Sequence, residues 1–95
     1  MKRNFEYYEI KDRKNNYGLI GTYQTAEEAL AYINESYQNA LAQGYDNRHE
    51  AWIIVYVFHT TEYDQNGNFL SDVTYRRLWK RVEFDFSVNS FVVAV

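Results

Sequence analysis

The sequence predicts an α+β domain: an antiparallel sheet of four or five strands, β-β-α-β-β with a short strand to finish, and one helix packed on one face. Three observations carry this. A single helical stripe of apolar residues runs from Ala26 to Leu41, and no comparably clear one appears elsewhere. An Asn66-Gly67 turn signal separates two long runs rich in β-branched and aromatic residues. The chain has 95 residues, which suits one domain over residues 1–95.

The elements follow in order. "NFEYYEIK" (4–11) mixes aromatic, charged and β-branched residues as a strand does. "DRKNN" (12–16) is turn material, and "YGLIGTY" (17–23) reads as the second strand of a hairpin, with Gly18 and Gly21 marking a bulge or close packing. Thr25 to Glu28 forms a capping box, with Thr25 as N-cap and Glu28 reaching back. Ala26, Ala29, Leu30, Ile33, Tyr37, Ala40 and Leu41 then recur at helical spacing, and Gly44 is a fitting stop.

"AWIIVYVFHTTEY" (51–63) reads as a strand longer than the helix, so its polar end, Thr60 to Glu62, should project beyond the lid. "FLSDVTYRRLWKRVEF" (69–84) fits both a helical stripe and a strand; the preceding turn favours a strand. "VEFDFSV" (82–88) alternates, with Val82, Phe84, Phe86 and Val88 on one face, and "FVVAV" offers a fifth strand.

The run Ala51–Phe58 is apolar on both faces. Ile53, Val55 and Val57 point one way; Trp52, Ile54, Tyr56 and Phe58 point the other. One helix covers one set, which leaves the set with three aromatic rings in need of a cover. Left wet, even ~300 Å² of such surface forgoes roughly 7 kcal/mol at about 25 cal/mol per Å². Three covers are open: the chain's own Tyr7, Tyr8, Trp79 and Phe84 on a curled sheet, a second copy in a homodimer, or a different protein. The C-terminal "FVVAV" is a second sticky edge through which a homodimer could form.

The net charge of −3 argues against general nucleic-acid binding by a basic surface. Cysteine is absent, which removes disulfides, thiol nucleophiles and thiolate metal sites. No apolar run has signal-peptide or membrane-span length, so a cytoplasmic protein is the default expectation, with no membrane partner. "DQNGNF" fails as a calcium loop, because Phe69 and Tyr75 stand where glycine and the closing carboxylate belong. His49 and His59 lack metal-site spacing, and no glycine-rich phosphate loop is present, so neither metal nor cofactor is expected. A pairing of His59 with a neighbouring threonine has no orienting carboxylate at a recognisable spacing, so no enzyme is expected.

What stands out is the basic and aromatic cluster Tyr75, Arg76, Arg77, Trp79, Lys80 and Arg81. On a regular strand Arg77, Trp79 and Arg81 share one face, and Arg76 and Lys80 take the other. The plain alternative is a solvated strand paired with neighbouring acids such as Glu6, Glu9 or Glu62. The functional readings are an interface for an acidic protein surface, since Trp, Tyr and Arg dominate binding hot spots, or a nucleic-acid groove. The split of charge over two faces weakens the groove.

In its size, lack of cysteine, ten tyrosines and β-β-α-β-β layout, the chain resembles the small single-domain proteins of phages and other mobile elements, anti-CRISPR and related anti-defence proteins among them. The resemblance assigns no individual residue a role. It implies a stoichiometric inhibitor that binds a host nuclease complex by surface complementarity. Together the readings give a non-catalytic protein-binding module; the alternative is a small nucleic-acid-binding domain using Arg76–Arg81.

Overall fold

A computed structural model describes residues 1–94. The chain runs β1 (Lys2–Asp12), β2 (Leu19–Tyr23), α1 (Ala26–Ala42), β3 (Trp52–Tyr63), β4 (Phe69–Asp85) and β5 (Ser90–Val93). The strands form one antiparallel sheet in the order β2-β1-β3-β4-β5. The α+β reading holds, residues 69–84 are strand, and the fifth strand is present.

The helix begins where its capping chemistry places it. The Thr25 hydroxyl accepts the Glu28 N–H at 3.1 Å, and Glu27 and Glu28 sit at the positive end of the helix dipole. It stops after Ala42, where Gly44 takes a left-handed φ of +78°. Ala26, Ala29, Ile33 and Tyr37 are its buried face. That face meets Ile10, Trp52, Ile54, Val82 and Phe91, and Phe84 stacks edge-on against Tyr37 at 4.9 Å.

The helix therefore takes the Trp52 and Ile54 side of β3. This reverses the expectation that the aromatic set of that strand would lie opposite the lid. Alanines at 26 and 29 let the helix approach closely enough for Trp52 to be buried beneath it.

Two strand ends are set by side chains. The Asp85 carboxylate accepts the Ser87 N–H and hydroxyl, at 2.8 and 2.6 Å, and turns the chain there. The expected alternation through Val88 is thus cut short, and Phe86 and Val88 stand exposed in the turn. At β5, the Asn34 side chain accepts the Phe91 N–H at 2.7 Å and donates to the Phe91 carbonyl at 3.0 Å. A helix residue thereby occupies both backbone groups of Phe91, a local cover for an edge strand.

The molecule is long. Its extents are 57 × 26 × 20 Å and its radius of gyration is 16.8 Å, against about 12 Å for a compact chain of this length. The cause is β4, whose 17 residues reach roughly 57 Å when extended. The helix has 17 residues but covers only about 25 Å. It packs on β1, β2 and β5, and β3 supplies only Trp52 and Ile54 to the core cluster. The rest is a three-stranded wing: Lys2–Glu6 of β1, Phe58–Tyr63 of β3 and Phe69–Tyr75 of β4. The projection expected for Thr60–Glu62 is real and begins earlier. At the wing tip, Gly67 adopts φ +83°, and the Asp64 carboxylate accepts the N–H groups of Asn66 and Asn68.

Candidate functional site

The basic and aromatic cluster lies where the capped end meets the wing. Register decides which side chains meet there. Along β4, Tyr75 opposes Phe58, Arg77 opposes Tyr56, and Arg76 opposes Val57. Then the register shifts: Leu78 opposes Val55 while Lys80 opposes Ile54, which leaves Trp79 as the inserted residue of a β-bulge. The bulge corrects the sequence reading. Arg81 opposes Ile53 and so shares a face with Arg76 and Leu78, not with Arg77 and Trp79. Lys80, through its partner Ile54, belongs to the helix side.

On the helix side, just past the end of the lid, four side chains form one platform. The Trp79 ring meets Tyr8 edge-on at 5.6 Å, and Tyr8 meets Tyr56 edge-on at 5.7 Å. The Arg77 guanidinium lies 5.1 Å from the centre of the Tyr56 ring, a cation–π contact. Burial, with the Glu6 carboxylate nearby, pushes the Tyr56 phenol above its ordinary value, so it stays a neutral donor. Tyr8, Tyr56 and Trp79 are half-buried and partly roof one another, while Tyr75 beside them is 63% exposed. Tyr8 and Trp79 act as the aromatic cover considered for this face; Tyr7 lies on the other face, opposite Val57, and Phe84 lies under the helix.

The opposite face has no helix, yet Val55 and Val57 are buried. Their cover is an ion pair. Arg76 on β4 donates from Nε to the Glu9 carboxylate on β1 at 3.0 Å, reaching diagonally across β3. Glu9 is only 4% exposed, and its carboxylate holds the Arg76 guanidinium above the usual arginine value. Arg76 is thus engaged in the fold although its side chain is half exposed, and Arg81, Leu78 and Lys80 are exposed without such a partner among the described residues. The acid partner proposed for the strand reading is real for Arg76 and Glu9. The six residues of the cluster do not form one surface: Tyr75, Arg77 and Trp79 converge on the platform, and Arg76 and Arg81 face the other way.

A second constellation gathers on His59, whose pairing with a threonine is readable from the sequence but whose partners Thr74 and Asp72 are not. The Thr74 hydroxyl lies 2.7 Å from His59 Nδ1, and His59 Nε2 lies 2.7 Å from Asp72, which also accepts the Thr61 hydroxyl at 3.1 Å. Only cross-strand register, with His59 opposite Thr74 and Thr61 opposite Asp72, brings these residues together. The order hydroxyl, imidazole, carboxylate matches that of nucleophilic catalysis. Acyl transfer also needs donors aimed at an oxyanion. In the structure His59 and Thr61 of β3 and Asp72 and Thr74 of β4 form a polar clasp across the two strands on the face opposite the helix.

A cavity of about 450 Å³ lies at the far end, under the β1–β2 turn, where Asp12, Tyr32, Asn47, Glu50 and Trp52 contribute to its wall. Its carboxylate of deepest burial, Asp12, spends Oδ1 on the N–H and amide of Asn15 and so holds that turn. Among the described residues no three His, Asp or Glu side chains gather as a metal-ligand set. No helix among them is long and apolar enough to cross a membrane. No protein-family model matches the chain, and neither a curated protein nor a solved structure is significantly similar to it.

Proposed function

We propose that the chain is a non-catalytic protein-binding module that acts as a stoichiometric inhibitor of a host defence nuclease complex. The observation that supports binding is the platform of Trp79, Tyr8, Tyr56, Arg77 and exposed Tyr75, set just past the end of the helix where the capped end meets the wing. Trp, Tyr and Arg in one patch, rigid and half-desolvated, are the side chains that anchor protein interfaces. The nuclease partner is supported by the resemblance in size, composition and layout to anti-defence proteins. An acidic or phosphate-like patch on that partner would complement Arg77 and Lys80, which lie on the platform side.

The experiment is titration of the protein into purified RNA-guided nuclease complexes while DNA cleavage is followed. Cleavage falls to completion at a fixed molar ratio, and Trp79→Ala with Arg77→Ala abolishes inhibition while the domain stays folded by circular dichroism. Undiminished inhibition by the folded double variant would remove the platform from the account. Should the protein instead bind DNA directly, with a log–log salt slope near about −3 as expected for roughly four phosphate contacts, the nucleic-acid reading replaces this one.

A further inference from the structure

The longest open backbone edge among the described residues belongs to β4. Its inner side pairs with β3 throughout, but β5 covers its outer side only from Arg81 onward, where the Ala94 N–H donates to the Arg81 carbonyl. From Phe69 to Lys80 the outer backbone groups have no strand partner among the described residues. Phe69, Leu70, Val73, Tyr75 and Leu78 are all exposed along this stretch. A long, apolar, uncovered edge is what soluble proteins ordinarily avoid. The other edges are shorter: β2 has five residues, β1 is open only from Lys2 to Tyr7, and β5 has its Phe91 backbone groups taken by Asn34.

The sequence of the open edge is self-complementary. Reading "FLSDVTYRRLW" (69–79) outward from Thr74 in both directions sets Val73 against Tyr75, Asp72 against Arg76, Ser71 against Arg77, Leu70 against Leu78, and Phe69 against Trp79. Val73 meets Tyr75 on one face and the one acid of the stretch, Asp72, meets a base on the other, while the register shifts at Leu70 and Trp79 leave the outermost pairs out of the matched part. Moving the centre to Arg76 sets Arg76 against itself; moving it to Tyr75 sets Arg77 against Val73 and Arg76 against Thr74.

We propose that two copies of the chain pair antiparallel through their β4 edges, about a two-fold axis at Thr74, to form one continuous sheet. Such an interface is isologous, so every pair occurs twice. Directly opposed residues in an antiparallel pair share a face. Val73 therefore packs on the other copy's Tyr75 on the helix side, and Asp72 meets Arg76 on the open side. Both charged groups have capacity to spare: the intrachain ion pair uses only Nε of Arg76, and His59 and Thr61 both take Oδ1 of Asp72. The second copy would extend each Arg76–Glu9 roof into the neighbouring His59 clasp. The matched pairs lie between Asp72 and Arg76, five residues short of Arg81, where the Ala94 N–H reaches the β4 edge. This pairing does not depend on which partner the platform binds; it would place two platforms on one face.

The test is solution mass by sedimentation equilibrium across a wide concentration range. The wild-type chain sediments toward twice 11.4 kDa. Asp72→Arg sets arginine against arginine at both symmetric positions, and Arg76→Asp sets aspartate against aspartate. Each variant alone self-associates about tenfold or more weakly. Their equimolar mixture forms a heterodimer, because every arginine then faces an aspartate. Loss of a structural contact alone would not be repaired by mixing. As a second readout that needs neither charge variant, Thr74→Cys in this cysteine-free chain becomes disulfide-linked under mild oxidation, and Asn39→Cys on the helix does not. A monomer at every concentration, a dimer that both charge variants leave intact, a mixture no more associated than its components, or equal cross-linking at positions 74 and 39 overturns the proposal.

Discussion

The capped end and the wing share β1, β3 and β4, yet they solve burial differently. Under the helix, Ile10, Ile54 and Ile33 are 0% exposed and join aromatic rings from β5 and α1 in one dry cluster. In the wing, Phe5 is 54% and Tyr75 63% exposed, and order comes from hydrogen-bonded clasps such as His59 with Asp72. Between them, the Glu9–Arg76 ion pair roofs Val55 and Val57 without any covering element. The difference teaches that the helix stabilises a support, and that the strands running out from under it present side chains to something else.

Substitutions should separate the two regions. The largest effect is expected in the capped end: Ile54→Ala or Ile33→Ala costs about 3 kcal/mol, within the range for truncating a fully buried isoleucine. Tyr75→Ala in the wing stays within about 0.5 kcal/mol, as for other exposed positions. Urea denaturation of the three variants checks this, and equal losses would erase the distinction.

The ion-pair roof gives an intermediate effect with an asymmetry. Arg76→Ala leaves the buried Glu9 carboxylate without its partner, whereas Glu9→Gln leaves an arginine that swings into water. Arg76→Ala should therefore lower Tm further than Glu9→Gln. The reverse order would mean that the pair does not roof the valines.

The smallest effect lies at the wing tip. The Asn68 and Asn66 N–H groups and the Asn68 amide hold the Asp64 carboxyl below the ordinary aspartate value. Its contribution to stability is thus fully present above about pH 3.9 and is lost as pH falls through the depressed value. The amide shifts of Asn66 and Asn68 should titrate with a midpoint below about 3.9. In Asp64→Asn that transition disappears, with the capped end unmoved.

Much of this plan was legible in the sequence. The Thr25 cap, the helical stripe and the Asn66-Gly67 turn are local signals, and each appears in the structure at its expected place. The features that shape the candidate site are not local. The bulge at Trp79 is a mismatch between two strands, and it moves Arg81 to the other face without leaving a mark on the chain's own alternation. The Glu9–Arg76 pair joins residues separated by 67 positions. The side of β3 that receives the helix depends on which face Ile10, Val82 and Phe91 complete, and a single strand's pattern holds no record of its neighbours. Even the end of β4 turns on the two bonds that the Asp85 carboxylate accepts from Ser87, which outweigh an alternation that runs on to Val88.

Native-state amide hydrogen exchange tests the division between support and working surface most directly. The account predicts that Ile10, Ile33 and Ile54 exchange only through global unfolding, while Phe5, Thr60 and Val73 exchange through a smaller opening of the wing at distinctly lower free energy. Equal protection of both groups at the global value would show that the wing is as firmly held as the core, and would contradict the account.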